Sequence, residues 1–384
     1  MRAKSIQGST TDAIQKALHE AKADGFRPTL AIAFLSISQD RDAICQTLRK
    51  AEIDVLGCTS CGEFTDHEQT HEGAAILLLD LDRDSYAILF EELDIQDPES
   101  GAARLAIAAK KRFERPALIL CTTSFTRDGR YLNGPSIMQA LERILGPDTS
   151  IYGGMAGDDV TFTGTYVFTE GASSDTGIVA LVLDENKVAL HGMALSGWSP
   201  VGIERTVTSS QDDWLYSIDG QPALDMYLKY LGKQPVDGKD AYEIFKDIGI
   251  YYPLQVEGVG DPALRTPIMA DQERRGLRLD FPVPEGTRFR FSMPPDFDIV
   301  DNVIQQAKEL REARNLEAEA LLIFSCAGRL NALGPMTNTE NEGLAETWGA
   351  PMAGFFTYGE FGSAHGRQEF HSTTCCWVAL KEKE

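Results

Sequence analysis

The sequence predicts a layered α/β protein of mixed sheets with helices outside them, built from three pseudo-repeats and one β-rich insert. The first observation behind this is a recurring pattern. Gly57-Cys58-Thr59-Ser60-Cys61-Gly62-Glu63 and Gly354-Phe355-Phe356-Thr357-Tyr358-Gly359-Glu360 both read G-x-x-x-x-G-E, and Tyr152-Gly153-Gly154-Met155-Ala156-Gly157-Asp158 keeps the second glycine and the carboxylate. The second is context: each copy follows a helix-like segment and precedes an apolar, strand-like run, as a repeated supersecondary unit does. The third is composition. Hydrophobic residues make up 43% of 384, enough for real cores, and charged residues 24%, ordinary for a soluble protein. Two domains are the default at this length, and we place them at 1–203 and 204–384.

In the first repeat, residues 3–8 read as a short strand. Ser9, Thr10 and Thr11 offer N-caps, and Ile14, Ala17, Leu18 and Ala21 then fall at helical spacing before Gly25. Residues 30–35 form an apolar strand, 41–51 a second helix, 55–63 the glycine turn and 74–81 a closing strand. The second repeat follows the same order with strands at 86–93 and 117–121, helices at 100–113 and 135–145, the turn at 150–158, and strands at 166–168 and 178–183. In the third, we assign 288–291 as the opening strand, 299–313 and 339–348 as helices, 321–326 as a strand, 353–361 as the turn and 373–380 as the final strand. Each strand–helix–strand step suits a right-handed crossover between parallel strands. Residues 186–287 lie outside the repeat. They read as β-rich, with one helix that Pro222 starts and Gly232 ends.

The formal net charge of -22 sets the surface against nucleic-acid phosphate and anionic lipid, which excludes both as partners. The cysteines number seven, most of them within apolar runs, which suits buried thiols in a reducing cytoplasm. The N-terminus carries no signal-peptide run and no apolar stretch is long enough to span a bilayer, so a cytoplasmic location is expected.

Several stretches together resemble the FIST family, a bacterial sensory domain with N- and C-terminal parts. They are Val55–Phe64, Tyr152–Asp159, Ser217-Ile218-Asp219-Gly220-Gln221-Pro222-Ala223-Leu224, and Gly354–Phe361 followed by Phe370-His371-Ser372-Thr373-Thr374. No single stretch is specific; their order is. The resemblance implies signal transduction by sensing a small ligand, for which amino acids have been proposed. It also implies an alternative, since some similar members are haem proteins that respond to nitric oxide and act on a histidine kinase. No kinase, cyclase or chemoreceptor segment is recognisable after the last strand, so output through a separate protein is expected.

The turns supply the candidate ligand-binding residues: Cys58, Gly62, Glu63, Met155, Gly157, Asp158, Tyr358, Gly359 and Glu360. Turn N–H groups can bind a carboxylate, and Glu63, Asp158 or Glu360 can receive an ammonium group; equally, these carboxylates can cap their own turns. The aligned glycines Gly62, Gly157 and Gly359 are expected to share one backbone conformation. Arg329, just past a strand C-terminus, offers a clamp for a carboxylate or propionate, or else a surface ion pair. Cys58-x-x-Cys61 lacks the second pair that a structural zinc site wants and reads as buried thiols. His67 and His71 read as a solvated loop. His371 is the first candidate for a haem axial ligand and His191 the alternative; either also reads as a core histidine bonded to backbone. No nucleophile motif of a hydrolase or phosphate loop is present, so no catalytic role is expected. A thiol-dependent hydrolase is the remaining alternative, needing a cysteine reactive at neutral pH.

Overall fold

The structure is a computed structural model that describes residues 1–234, 243–256, 263–296, 298–364 and 366–383. Part of the β-rich insert, 235–242 and 257–262, lies outside the described residues. The described residues form two compact units. One holds Met1–Leu195, Val300–Leu330 and Pro335–Glu384; the other holds Ser196–Ile299 and Asn331–Gly334.

The first unit contains the three repeats. Repeat one runs β1 (Arg2–Gly8), α1 (Thr11–Ala21), β2 (Leu30–Leu35), α2 (Arg41–Lys50), β3 (Asp54–Thr59), β4 (Glu63–Thr65), β5 (Gln69–Thr70) and β6 (Ala74–Asp80). Repeat two runs β7 (Tyr86–Glu92), α3 (Pro98–Arg112), β8 (Pro116–Thr122), α4 (Gly134–Leu145), β9 (Ile151–Met155), β10 (Val167–Thr169), β11 (Ser173–Ser174) and β12 (Gly177–Asp184). Local chemistry starts the helices where the sequence predicts. The side chains of Thr10, Asp40, Asp97 and Asn133 accept N–H bonds from the residue three positions on, as N-caps do.

Repeat three opens with β13 (Val188–Leu195), which pairs along its whole length with the last strand of the chain. This corrects the assignment of 288–291 as the opening strand. Both segments are short and apolar, and only long-range pairing separates them. The chain then makes the second unit: β14 (Ser199–Gln211), β15 (Trp214–Ile218), β16 (Gln221–Pro222), α5 (Ala223–Tyr230), β17 (Leu254–Val256), β18 (Ala263–Arg265), β19 (Pro267–Asp271), β20 (Gly276–Leu279) and β21 (Arg288–Met293). The insert is therefore placed between the first strand and first helix of repeat three. The repeat resumes with α6 (Asp298–Arg314), β22 (Ala320–Cys326), α7 (Ala327–Leu333), α8 (Met336–Trp348), β23 (Met352–Thr357), β24 (Glu360–Ala364), β25 (Arg367–His371) and β26 (Cys375–Glu382).

The three six-stranded sheets of the first unit share one strand plan: β1-β6-β2-β3-β10-β11, β7-β12-β8-β9-β24-β25, and β13-β26-β22-β23-β4-β5. In each, the two strands joined through a helix are parallel, β2 with β3, β8 with β9 and β22 with β23. The last two strands of every sheet are a hairpin lent by the next repeat, in a closed cycle. The glycine turns are the places where the chain leaves one sheet for another.

Inner faces of all three sheets meet in one apolar core that includes Ile32, Phe34, Leu56, Ile119, Cys121, Val179, Leu322, Phe324 and Phe355. Phe34 stacks on Phe355 with ring centroids 4.5 Å apart. Alternate residues of β2, Ala31, Ala33 and Leu35, turn outward against Ile14 and Leu18 of α1 and Ile44 and Leu48 of α2. Strands buried on both faces lose the apolar/polar alternation, which explains the continuous apolar runs of the sequence.

The second unit is a nearly closed antiparallel barrel in the order β18-β17-β21-β14-β15-β20-β19, with β16 beside β15. Its core includes Val207, Leu215, Tyr227, Leu277, Phe289 and Phe291. The Tyr227 hydroxyl donates to the Tyr252 carbonyl at 2.8 Å, which offsets the cost of burying it. Among the described residues no helix is long and apolar enough to cross a membrane.

Candidate functional site

The three glycine turns converge. The Cys61 N–H donates to the Phe356 carbonyl at 2.9 Å, the Tyr358 N–H to Met155 at 3.1 Å, and the Gly157 N–H to Thr59 at 2.9 Å. These bonds form a closed ring of one turn onto the next, and they fix which residues are equivalent. Cys61, Gly157 and Tyr358 share one position. Asp158 therefore takes the place of Gly62 and Gly359, one residue out of step with the sequence alignment. Gly62 has φ 123°, whereas Gly157 and Gly359 do not have positive φ. The expected common conformation of the three glycines is not found: the slip in repeat two takes Gly157 out of the shared position, and Gly359, at the same ring position as Gly62, still differs from it.

The first glycine of the pattern has a packing reason. In each sheet a phenylalanine of the borrowed hairpin faces it: Phe168 opposite Gly57, Phe64 opposite Gly354, and Phe361 opposite Gly153. A Cβ on Gly354 would lie 2.2 Å from the Phe64 ring, and one on Gly57 2.3 Å from the Phe168 ring. The ring covers the bare backbone, and no larger residue fits.

The carboxylates are fully buried and tie their own turns. Glu63 accepts from the Ser60 hydroxyl, from the Thr70 hydroxyl at 3.1 Å and from the Gly73 N–H at 3.1 Å. Burial pushes its carboxyl up to about 8 against the pull of those donors. Glu360 accepts from the Thr357 hydroxyl, and from the Thr374 hydroxyl and N–H at 2.7 and 3.2 Å; burial pushes it up to about 7. Asp158 accepts from the Tyr358 hydroxyl at 2.8 Å and from the Thr163 N–H at 2.6 Å. Glu63 and Glu360 thus cap their own turns, while Asp158 also ties its turn to the one that carries Tyr358.

At the junction, Cys61 Sγ lies within hydrogen-bonding reach of the Tyr358 hydroxyl, and burial raises that thiol to about 12. Met155 packs beside Gly359, its sulfur 3.3 Å from where a Cβ there would be. Cys58 faces the shared core, paired with Cys121, and its thiol is pushed well up by burial. All seven cysteines are free and buried. Over the junction runs the segment that sequence reasoning missed. Asp159, Val160 and Phe162 all have φ between 55 and 58°. A β-branched valine in the left-handed region is strained. Phe162, 36% exposed, stacks on Tyr358 at 12° between ring planes and on Phe125 at 29°. The Asp159 carboxylate accepts from the Ser36 hydroxyl at 2.6 Å. Its mark in the sequence is the run Gly157-Asp158-Asp159, in which two carboxylates follow the turn glycine.

The other candidates lie apart from this junction. Arg329 is fully buried on α7 and paired with Glu340 of α8, so it is neither a surface ion pair nor part of the turns. Burial opposes its charge, and the Glu340 carboxylate outweighs that, keeping the guanidinium cationic. His371 lies on β25 opposite Glu360, with Nε2 3.3 Å from the Gly362 carbonyl. His191 is half-buried on β13; burial lowers its pKa, and Arg314, Lys383 and Glu185 put charge around it. An axial haem ligand wants a neutral imidazole in an apolar pocket. The charges around His191 do not fit that group, and His371 has one ring nitrogen, Nε2, engaged by backbone. His67 and His71 are exposed near β5, as a loop should be. Among the described residues no group of three or more His, Cys, Asp or Glu is placed to hold a metal ion.

Comparison with known proteins decides the family. A FIST N domain model matches residues 29–221 and a FIST C domain model residues 223–363. The chain belongs to the FIST family. An uncharacterised protein of Mycobacterium bovis is 25% identical over 234 residues, covering 59% of this FIST chain and 59% of that protein. A second, from Mycobacterium tuberculosis, is 25% identical over 235 residues, 59% and 60%. The chain thus matches about 59% of the length of these mycobacterial relatives. An uncharacterised protein of Methanocaldococcus jannaschii is 26% identical over 351 residues, 85% of this chain and 65% of that one. Among solved structures, a cyanuric acid hydrolase from A. caulinodans aligns over 100% of this chain and 99% of its own at 9% identity and a TM-score of 0.36.

Proposed function

We propose that this protein senses a small ligand at the junction of its three turns and passes the signal to a separate partner, a histidine kinase or another signalling protein. FIST membership supports the sensory role. The observation that carries the ligand's place is the strained aromatic flap. Asp159, Val160 and Phe162 hold left-handed backbone directly over the Tyr358–Asp158 hydrogen bond. Strain of this kind persists where the surroundings over-determine it, and it is concentrated at sites that bind or switch. A ligand that engages the Tyr358 hydroxyl or the Asp158 carboxylate displaces bonds that hold the flap down. Flap release is then the change a partner reads.

Catalysis is no part of the proposal. A thiol hydrolase needs a thiolate near neutral pH, whereas burial raises Cys45 and Cys61 to about 12 and pushes Cys326, Cys375 and Cys376 well up. The surroundings of His371 and His191 give the haem alternative no support.

The test is thermal denaturation of the full chain against the twenty amino acids and related metabolites. A ligand at about a hundred times its Kd adds ~2.7 kcal/mol to stability, and Tyr358→Phe reduces that gain. Failure of the whole panel to stabilise the protein refutes the reading.

A further inference from the structure

Repeat three differs from the other two beneath its second helix, and the fold itself supplies the comparison. The buried faces of α2, α4 and α8 carry residues at the same spacing: Ile44, Cys45 and Leu48; Ile137, Met138 and Leu141; Glu340, Asn341 and Leu344. An apolar pair in two repeats is a glutamate and an asparagine in the third. On the strand below, the corresponding outward residue is Leu35, Thr122 and Ser325, each the register partner of a residue in the turn ring. The architecture closes this layer with apolar groups in repeat one, so repeat three does not need polar ones there to fold.

These polar groups are incompletely satisfied. Glu340, Asn341 and Ser325 are 0–2% exposed, yet among the described residues Glu340 Oε2, both Asn341 amide atoms and Ser325 Oγ have no well-aligned hydrogen bond, and the Glu340 carboxylate has only the weak thiol donor of Cys375 within reach besides Arg329. Leaving such buried groups unpaired opposes folding unless something satisfies them. Glu340 and Asn341, neighbours on the buried face of α8, mark the spot. Arg329 pairs with Glu340, Cys375 approaches Glu340, and Cys375 is the register partner of Ser325. The spot lies at the carboxyl end of β22, where open α/β sheets bind ligands.

We infer that repeat three encloses a second binding site, between α8 and the outer face of β22 and β26, for a small neutral molecule bearing a primary carboxamide. The donor pattern sets the class. One N–H of the ligand's NH2 donates to Asn341 Oδ1 and its carbonyl accepts from Asn341 Nδ2, a reciprocal amide pair. The other N–H donates to Glu340 Oε2. Arg329 and Glu340 offset each other's charge, so a neutral group matches the site and a carboxylate meets the Glu340 acceptor instead of a donor.

The experiment is calorimetric titration and thermal denaturation of the full chain with acetamide and L-glutamine, against acetate and L-glutamate as matched acids. Both amides are expected to bind and raise the melting temperature, with affinity at least about tenfold above the acids. Asn341→Met, which copies Met138 of repeat two, is expected to keep the ligand-free melting temperature and to weaken amide binding at least about tenfold. Glu340→Gln replaces the lone acceptor with a donor and is expected to shift preference toward the acids, a reversal that a merely structural role would not produce. Tyr358→Phe is expected to leave amide affinity unchanged, which separates this site from the junction. Silence of the wild type to both amides, equal response to the acids, or unaltered amide binding in Asn341→Met and Glu340→Gln would each overturn the inference; so would a site filled by water alone in a structure grown with acetamide.

Discussion

Glu63→Gln tests whether the junction carboxylates are truly held in a dry interior. In the folded chain Glu63 is 0% exposed and its carboxyl is pushed up to about 8 from an ordinary 4.5, burial being the largest cause. A folded pKa above the unfolded one means the native state binds the extra proton. The resulting stabilisation is fully present below pH 4.5 and is lost as pH rises through about 8. A gap of about 3.5 units at 1.36 kcal/mol per unit bounds the loss at about 5 kcal/mol. Glutamine keeps the shape. Its oxygen accepts from Gly73 and Thr70 and its NH2 donates to Ser60, with no charge to bury. The variant and the wild type should therefore match within about 1 kcal/mol at pH 5, and the variant should be the more stable at pH 8.5, by at least ~1.5 kcal/mol. Urea denaturation at the two pH values, read at the transition of the three-repeat unit, measures this. A variant less stable than wild type at pH 8.5, or a gap that does not grow with pH, would refute the dry-carboxylate reasoning.

Three further outcomes follow from the geometry. Gly354→Ala places a methyl 2.2 Å from the Phe64 ring and 2.5 Å from the Ile323 carbonyl; it should cost about 2–3 kcal/mol in denaturant, whereas Gly171→Ala, with nothing within 4 Å, should stay within about 0.5. Val160→Gly relieves a β-branched residue at φ 58° and should stabilise the protein by about 1 kcal/mol while reducing any ligand-dependent rise in melting temperature. All seven thiols are buried, so an aromatic disulfide reagent at pH 8 should label the folded chain at least about a hundredfold more slowly than the chain in urea; one fast-reacting thiol would restore the hydrolase alternative.

Much of this protein was legible in its sequence because local chemistry wrote it. The N-cap at Thr10, helical spacing and runs of apolar residues on doubly buried strands mark helices and strands without reference to distant residues. The repeated glycine pattern told of three related units, and its first glycine proved to be where a borrowed phenylalanine lies on bare backbone. Pairing was another matter. Whether 188–195 or 288–291 opens repeat three depends on β26, nearly two hundred residues from the former, and two short apolar strands look alike until one is paired. The one-residue slip at Gly157 and the left-handed path through Val160 were hidden too, since a backbone conformation imposed by neighbouring turns leaves no mark on composition. Arg329 was visible as a charge near a strand end, but only packing shows that it is sealed beside Glu340. The sequence by itself determined most helices and strands of the three repeats and, through the order of its motifs, the family, since these follow from capping, periodicity and motif order. Tertiary structure alone decided that the hairpins are exchanged in a cycle, that the turns meet, and which carboxylates are dry, since those depend on contacts between residues far apart in the chain.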